Sequence, residues 1–553
     1  MATPALSGNM TLDQALAEVT SCQPDVEAVV YGTTRLTYQQ VNERVNALAA
    51  GLHRLGLRKG EKVAVILPNC PEFLYCLFGI GQAGGVLVPM NPLYRRREIQ
   101  HILSDAEAAA VIFVPDAWGN DLLGMLQDAR KELPHLRHLI VHADAAPAGT
   151  VSLESLLTSP SPGPPVGSLA APEDLFGLVY TSGTTGVPKA VMHTHGTMLA
   201  PVIASEKLRR AMFERPSLLG MARTLTRYGA RFLRWSGKRQ TLLTPSPFHA
   251  AAGYGFALLG LLAGYRLVIM ERFHPVQVLE LIQREHVNVL GGTPTMFSTI
   301  LSVSSFDQYD KSSVLYCVMG AAPCPPNLVR QVRESFGCPV TIVFAATETG
   351  VGALMTRIDD PDVLQDETVG RVFPDARVKV VDDQRRELPP GQVGELVCDT
   401  DGVMKGYYKA PEATTEALDA DGWYYTGDLA VMDEKGYVRI VGRKKDMIIR
   451  GGQNIFPAEV EHYLLSHPLV QEVAVVGVPS QLEGETVWAY VVPKEDASLT
   501  VEQVLGYCQG ELAAFKVPSV VRIVNELPKT STLKVQKFRL REMALEELAR
   551  QGS

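Results

Sequence analysis

The 553-residue chain has no long hydrophobic run and no cysteine spacing typical of a metal site. Its longest apolar stretch, 255–264, has about half of the ~20 residues that a membrane span needs, so we expect a buried core segment there. Residues 1–10 lack a basic region followed by an apolar run, so we predict no signal peptide. The eight cysteines form no CxxC pair and no Cys/His cluster, and free thiols in a reducing cytoplasm account for them.

An excess of positive charge is also missing. The formal net charge is −8, so the overall charge excludes a general nucleic-acid-binding protein. A chain of 553 residues is too long for one hydrophobic core, and we therefore predict at least two domains.

Short apolar strands alternate with helical segments over most of the chain. For example, 36–55 is predicted as a helix, and 62–68 and 175–180 are predicted as strands. This alternation predicts an α/β fold with parallel-rich sheets. From about residue 369 the pattern changes to short strands separated by turns, which indicates a small β-rich subdomain. Another α+β unit follows, with helices expected near 457–466 and 501–513 and strands at 471–478 and 487–493. We predict an N-terminal domain at 1–441, a hinge at 442–446 and a small mobile C-terminal domain at 447–553.

The strongest chemical feature is a loop rich in glycine and hydroxyl residues that directly follows the apolar run 175–180. Glycine lets backbone N–H groups approach phosphate oxygens closely, hydroxyls add donors, and a lysine adds positive charge. The loop does not have the GxxxxGK[ST] pattern. A plain polar surface loop is the alternative. The candidate phosphate ligands are Thr181, Ser182, Gly183, Thr184, Thr185, Gly186 and Lys189.

This loop resembles the phosphate loop of the adenylate-forming superfamily, which contains acyl-CoA ligases, luciferases and peptide-synthetase adenylation domains. The resemblance covers nearly the whole chain, because further segments match in the same order. These segments are 36–49, 84–93, 320–323, 344–348, 394–396, 425–428, 442–461 and 527–534. Each match alone is modest, but the ordered set is highly specific.

The resemblance implies the roles of the nucleotide-binding residues. Asp428 accepts hydrogen bonds from both ribose hydroxyls of ATP, and Arg443 supports the ribose or the phosphates. Thr347 contacts the α-phosphate, while Glu348 and Thr185 bind Mg²⁺, a hard cation that prefers oxygen ligands. The residues implied beside adenine and the acyl group are Gly320, Ala321, Ala322 and Phe344.

The resemblance also implies residues for catalysis and for the thiol step. Lys534 lies between the substrate carboxylate and the α-phosphate, where positive charge stabilises the adenylation transition state. Lys445 is the hinge residue, and Gly451 and Gly452 line the channel for the pantetheine thiol. His249 lies beside the acyl pocket. A solvated lysine in a basic tail is the alternative for Lys534, and a buried core histidine is the alternative for His249.

Three departures from the family pattern stand out. Phe344-Ala345 replaces a usual Tyr-Gly pair, and Leu533 replaces the usual glycine before the catalytic lysine. Three residues, 250–252, separate His249 from Gly253, where two are common. We predict that Leu533 restricts the loop that carries Lys534 and slows adenylation.

Segment 215–239 has seven basic residues and no acidic one. At helical spacing its basic residues gather on one face and its apolar residues on the other, a pattern that suits an anionic membrane surface. A helix packed on its own domain with a solvated basic face is the equally weighted alternative.

The implied reaction is acid + ATP + CoA → acyl-CoA + AMP + pyrophosphate, with Mg²⁺. Similarity of 88–103 to bacterial fatty acyl ligases favours a medium- or long-chain fatty acid, and an aryl or alicyclic acid is the close rival. Apolar pocket residues such as Phe248, Phe256 and Phe344 would suit either acid. Three further functions stay open: an acyl-AMP ligase that loads a separate carrier protein, a luciferase-like oxygenase, and an inactive scaffold on this fold. We expect a cytoplasmic protein, with peripheral contact to the inner face of the membrane and homodimer formation left open.

Overall fold

The computed structural model describes residues 4–158, 168–181, 189–214, 222, 225–229, 239–350, 352–480, 482–495, 497–509, 511–530 and 533–551. The helices longer than one turn are α1 (Leu12–Cys22), α2 (Tyr38–Arg54), α3 (Pro71–Gln82), α4 (Arg96–Ala106), α5 (Leu122–Glu132), α6 (Leu153–Thr158), α7 (His195–Glu214), α8 (Ala251–Leu262), α9 (Pro275–Glu285), α10 (Pro294–Leu301), α11 (Pro326–Phe336), α12 (Asp362–Glu367), α13 (Pro411–Ala417), α14 (Pro457–Leu465), α15 (Val501–Cys508) and α16 (Lys537–Gln551). Short 3-10 turns lie at Phe306–Gln308, Thr347–Thr349, Lys444–Asp446 and Ala514–Lys516.

A seven-stranded sheet has the order β7-β6-β5-β3-β4-β8-β9. Its strands are β3 (Lys62–Ile66), β4 (Val86–Pro89), β5 (Ala108–Phe113), β6 (His138–Val141), β7 (Val151–Ser152), β8 (Leu175–Thr181) and β9 (Lys189–Thr194). All neighbours are parallel except β8 and β9, which form an antiparallel pair around the predicted phosphate loop.

A nine-stranded sheet has the order β16-β15-β14-β13-β12-β10-β11-β1-β2. Its strands are β1 (Glu27–Tyr31), β2 (Thr34–Thr37), β10 (Thr241–Thr244), β11 (Arg266–Ile269), β12 (Val289–Gly292), β13 (Tyr316–Gly320), β14 (Val340–Phe344), β15 (Leu354–Met355) and β16 (Arg371–Val372). The central pairs are parallel, so the carboxyl ends of β13 and β14 lie side by side.

Helices α2, α3 and α8 join the two large sheets in one hydrophobic core, since their apolar residues cluster with Val65 of one sheet and Leu267 of the other. Helix α2 shows why the chain folds this way. Thr37 and Gln40 form a capping box at its start. Its apolar residues recur at helical spacing on the face that is buried.

The small β-rich subdomain is an antiparallel sheet in the order β17-β18-β19-β20. Its strands are β17 (Arg377–Val381), β18 (Val393–Asp399), β19 (Tyr424–Met432) and β20 (Val438–Arg443). Strand β20 runs to Arg443, which pairs with Asp428, so this sheet extends two residues past the predicted domain end at 441.

The C-terminal unit is a separate five-stranded sheet with α14, α15 and α16. Its strands are β21 (Ile448–Arg450), β22 (Gln453–Ile455), β23 (Val470–Ser480), β24 (Gly484–Pro493) and β25 (Val520–Ile523). The helix expected at 501–513 ends at Cys508, because Gln509 is already extended and Gly510 follows. The mixed α/β architecture with parallel-rich sheets, a β-rich subdomain and an α+β C-terminal unit is confirmed.

Within the described ranges, no helix is both long enough and apolar enough to cross a bilayer.

Candidate active site

Strands β8 and β9 hold the two ends of the predicted phosphate loop. Thr181 pairs with Lys189 in the antiparallel ladder, and the Thr181 hydroxyl donates to the Lys189 carbonyl at 3.3 Å. The residues between them, 182–188, lie outside the described part of the chain, and with them Ser182, Gly183, Thr184, Thr185 and Gly186. Their roles stay predictions.

The Thr347–Thr349 turn follows β14 and carries Glu348. Behind it lies His193, a fully buried side chain on β9. Its Nε2 is 2.6 Å from the Thr347 carbonyl oxygen, and its Nδ1 is 3.0 Å from the Thr197 hydroxyl. A carbonyl only accepts, so Nε2 carries the hydrogen. Burial lowers the pKa of His193 to about 4, so the ring is neutral near pH 7 and Nδ1 accepts from the Thr197 hydroxyl. His193 thereby ties the turn to the strand that ends the phosphate loop.

Tyr407 connects Glu348 to the phosphate-loop end. Its hydroxyl donates to Glu348 Oε1 at 2.9 Å, and the Lys189 ammonium lies 5.5 Å from the centre of its ring. The segment around Tyr407 is itself held beside β9, because the Tyr408 N–H donates to the Ala190 carbonyl at 2.8 Å. Sequence reasoning missed Tyr407 and His193. Residues 405–408 hydrogen-bond to β9 from a distant part of the chain, so no local sequence pattern could predict this pairing.

Tyr407→Phe should lower kcat/KM for ATP in acid-dependent pyrophosphate exchange by about tenfold. The reason is that Glu348 loses a charge-assisted hydrogen bond, worth about 1.5–3 kcal/mol, and becomes less well oriented. The matched control is Tyr408→Phe, which removes a neighbouring hydroxyl that is not bonded to Glu348. Equal rates for the two variants would contradict the role given to Tyr407.

Asp428 and Arg443 face each other across β19 and β20. The Arg443 Nε is 2.9 Å from Asp428 Oδ1, and Asp428 is only 6% exposed. Burial raises the pKa of the Asp428 carboxyl, although Arg443 and Lys534 oppose the shift. Burial also opposes the charge on Arg443, but Asp428 and other acidic groups outweigh it and raise the Arg443 pKa. The two side chains therefore form one polar site where β19 and β20 pair.

Lys534, which belongs to the C-terminal unit, lies close enough to Asp428 and Arg443 to interact with their charges. The residue is exposed, yet the surrounding protein lowers the pKa of its ammonium to about 8 by desolvation and by the charge of Arg443, with Asp428 opposing. Lys529, another basic residue of this tail, instead forms an ion pair within its own domain, with Glu472 at 2.7 Å. Lys534 is therefore a cation directed at the cleft, which argues against a merely solvated lysine.

The two groups of residues belong to one cleft. Glu348 raises the pKa of Arg443, which requires the two charges to interact. Tyr424 is a buried residue of β19 that sequence reasoning also missed, and it shares a buried cluster with Val191 of β9, against which Tyr407 packs. Burial raises the pKa of Tyr424, and the nearby Glu348, Tyr407 and Asp428 raise it further. The structure thus brings the loop end Lys189, the Glu348 turn, the Asp428–Arg443 pair and Lys534 around one space.

The Glu348 turn suits a hard cation. Tyr407 bonds one oxygen of the Glu348 carboxylate, and the remaining lone pairs are chemically suited to Mg²⁺. When bound with ATP, the ion supplies positive charge that neutralises the phosphates.

The Gly320-Ala-Ala segment follows β13. A side chain at Gly320 would place its Cβ 2.7 Å from the Val343 carbonyl oxygen, so only glycine fits. Ala321 has φ +64°, an unusual backbone conformation for a residue with a Cβ. Phe344 packs against the buried cluster of the small sheet that contains Leu396. A role for its ring beside the nucleotide stays a prediction.

His249 lies in the turn between β10 and α8, half-buried, and burial lowers its pKa to about 4, so it is neutral near pH 7. Asn69 holds this turn, because its side chain donates to the Ser246 carbonyl at 3.1 Å and accepts from the Phe248 N–H at 2.7 Å. Gly253 accommodates the turn, since an added Cβ would lie 2.0 Å from the Pro247 carbonyl oxygen.

The aromatic residues beside His249 differ in position. Phe248 is 1% exposed and packs on Phe73 with ring centres 5.7 Å apart, so it is a core residue and not a pocket wall. Phe256 is half-buried, and a Cβ added at Gly291 would lie 2.5 Å from its ring. Glycine at 291 therefore leaves the room that the Phe256 ring occupies.

Lys445 is exposed in the 3-10 turn that joins the two units, and its pKa is lowered chiefly by desolvation. Gly451 and Gly452 form the turn between β21 and β22, with φ +56° and +78°. An added Cβ at either would meet nothing within 4 Å, so the backbone conformation explains both glycines in this arrangement. The hinge and the thiol channel stay predictions.

Most of segment 215–239 lies outside the described residues. The structure describes two of its seven basic residues, and both contact the protein itself. Arg227 pairs with Asp362, and Arg239 donates to the Gly264 carbonyl at 3.1 Å. These contacts favour a segment packed on its own domain for the described portion.

Comparisons with known proteins show the family of this chain. Residues 16–408 match the AMP-binding enzyme family and residues 459–534 match the AMP-binding enzyme C-terminal domain. The chain therefore belongs to the AMP-binding enzyme family, as an AMP-forming acid–CoA ligase, and the resemblance read from its motifs is confirmed.

The similar proteins differ in the acid that they are named for. The chain is 32% identical to the medium-chain acyl-CoA ligase ACSF2, mitochondrial, of Bos taurus, over 98% of this chain and 88% of that protein. It is 34% identical to the feruloyl-CoA synthase of Amycolatopsis sp, over 94% and 96%. A crystal structure of the anthranilate CoA ligase AuaEII in complex with anthranoyl-AMP aligns with a TM-score of 0.84 at 25% identity, over 98% and 99%.

Proposed function

We propose that the protein activates a medium- or long-chain fatty acid with ATP and Mg²⁺ and transfers the acyl group to CoA. The observation that supports this most is the meeting of Lys534 with Asp428 and Arg443 in the cleft that also contains Glu348. These groups come from three separate parts of the chain, the Glu348 turn, the β19–β20 pair and the C-terminal unit, and together they match the charge distribution of a bound nucleotide.

The adenylation step needs charge stabilisation and not a general base, because the attacking carboxylate is already ionised near neutral pH. In our proposal Asp428 accepts hydrogen bonds from the ribose hydroxyls, and Arg443 orients the Asp428 carboxylate and the ribose. Lys534 neutralises charge on the carboxylate and the α-phosphate as the mixed anhydride forms and pyrophosphate leaves. Residues 181–189 and Thr347 hold the phosphates.

Uncharged groups at the proposed acyl end support an apolar acid. His249 is neutral near pH 7, and Phe256 and Val343 are half-buried apolar residues beside the Gly291 and Gly320 backbones. An alkyl chain is our choice because the similarity to the medium-chain ligase covers 98% of the chain. The similarity to feruloyl-CoA synthase keeps an aryl acid as the second candidate.

AMP release measured over a panel of acids with ATP, Mg²⁺ and CoA tests the proposal. We expect the highest kcat/KM for straight-chain acids of about eight to sixteen carbons, since each buried methylene adds about 0.8 kcal/mol of binding. A higher kcat/KM for cinnamate- or benzoate-type acids would overturn the alkyl assignment. Replacing CoA with a carrier protein identifies the acceptor, and AMP release only with the carrier would overturn the CoA assignment.

A further inference from the structure

Lys534 lies in a short hairpin in which Thr530 hydrogen-bonds to Leu533 and Lys534. The Thr530 N–H donates to the Lys534 carbonyl at 2.8 Å, and the Lys534 N–H donates to the Thr530 hydroxyl at 3.1 Å. The Leu533 N–H donates to the Thr530 carbonyl at 2.9 Å. The position of Lys534 is therefore set by the backbone next to it.

Leu533, directly before Lys534, has φ +60°. This left-handed conformation brings the Cβ of an ordinary residue close to its own backbone carbonyl, and leucine has no side-chain polar group that compensates locally. A leucine here disfavours the hairpin shape, so a contact from outside the hairpin adds stability to it while Lys534 is in the cleft.

Thr295 makes that contact. Its hydroxyl donates to the Leu533 carbonyl at 3.3 Å, so this hydrogen bond connects the N-terminal domain with the C-terminal unit. Thr295 is itself well anchored in the first turn of α10, where Thr293 caps the helix and Pro294 occupies the first position. The bond joins a rigid helix start to the strained residue.

We infer that Thr295 is a positioning residue, which holds Leu533 in its left-handed conformation and so keeps Lys534 in the cleft during adenylation. The inference rests on the proposed function, in which Lys534 acts in adenylation. Because the bond crosses between the two units, it must break whenever the C-terminal unit moves away from α10. Thr295 therefore favours the first half-reaction and contributes nothing to thioester formation in another arrangement.

The test measures the two half-reactions separately, using the best acid of the panel. Pyrophosphate exchange into ATP reports adenylation, and CoA transfer from the chemically prepared acyl-adenylate reports the second step. Thr295→Val, which keeps the shape but removes the donor, should slow exchange by about two- to tenfold and leave CoA transfer unaltered. Thr295→Ser should keep the exchange rate close to that of the unaltered protein.

Leu533→Gly supplies the second arm. In the Thr295→Val background it should restore most of the exchange lost in Thr295→Val, because glycine adopts φ +60° without the steric penalty. The matched control is Thr299→Val, which removes a hydroxyl of the same helix that donates to the Thr295 carbonyl at 2.8 Å and not to the hairpin.

Unaltered exchange in Thr295→Val, an equal loss in both half-reactions, or no restoration by Leu533→Gly would each overturn the inference. A fall in exchange in Thr299→Val equal to that in Thr295→Val would also overturn it. Absence of exchange in the unaltered protein with every acid of the panel would instead refute the proposed function, so the two failures are distinct.

Discussion

Lys534→Ala is expected to lower acid-dependent pyrophosphate exchange by about a hundred- to a thousandfold. Removing one preorganised donor from the position where charge develops has an effect of this size. The substitution removes the cation that the C-terminal unit brings beside Asp428 and Arg443. CoA transfer from the prepared acyl-adenylate should fall much less, since the mixed anhydride is already formed.

The control for Lys534→Ala is Lys537→Ala, three residues further on. Lys537 pairs with Glu461 at 2.6 Å within the C-terminal unit, so its removal should leave exchange near the original rate. Thermal unfolding of Lys534→Ala should occur no earlier than in the unaltered protein. A lysine whose pKa falls on folding is less stable when charged in the folded chain, and its loss does not weaken the fold. Equal exchange rates for both alanine variants would remove Lys534 from the mechanism.

The pH dependence of exchange checks the same assignment. With a pKa of about 8, Lys534 is protonated below that pH and loses its charge above it. The value of kcat/KM for ATP, which reports the free enzyme, should therefore decline as the pH rises through about 8. Lys534→Arg keeps its charge at all these pH values, so the decline should disappear in that variant.

Asp428→Asn is expected to reduce kcat/KM for ATP by about a hundredfold or more. In our proposal the carboxylate accepts two hydrogen bonds from the ribose, and an amide oxygen and NH₂ group cannot replace both acceptors. Two charge-assisted bonds, each worth about 1.5–3 kcal/mol, account for an effect of this order. Exchange and overall AMP release should both fall, mainly through a higher KM for ATP.

The fold should tolerate Asp428→Asn. Burial raises the pKa of Asp428, so a neutral amide removes the cost of burying the ionised carboxylate. This gain offsets the lost ion pair with Arg443, whose side chain is partly exposed to water. The control is Asp399→Asn in the adjacent strand β18, where the carboxylate pairs with the exposed Arg377. A drop in KM for ATP, or a similar defect in both variants, would contradict the ribose assignment.

Much of the fold is readable from local pattern. Helix α2 was predicted at 36–55 and runs from Tyr38 to Arg54, because its cap and its apolar spacing agree. Strand β23 was expected at 471–478 and covers Val470–Ser480. The end of α15 at Cys508 was missed, since an apolar pattern continued past the residues that leave the helix. Element ends depend on caps and contacts that the periodicity does not contain.

The site divides in a similar way. Asp428, Arg443, Glu348 and Lys534 were predicted from motifs, and the structure places them around one cleft. Tyr407 was not predicted, because its bond to Glu348 spans 59 residues of sequence. Phe248 was expected near the acyl group and is a core residue instead, because it packs on Phe73.

By itself, the sequence determined the family, the order of domains and the chemical type of each main site residue, since short motifs contain the turns, charges and small residues that nucleotide chemistry requires. Tertiary structure alone decided which groups support them: His193 behind Thr347, Tyr407 on Glu348, and Thr295 on Leu533. These contacts join segments far apart in the chain, and their partners are chosen by the packing of sheets and helices and not by any local spacing.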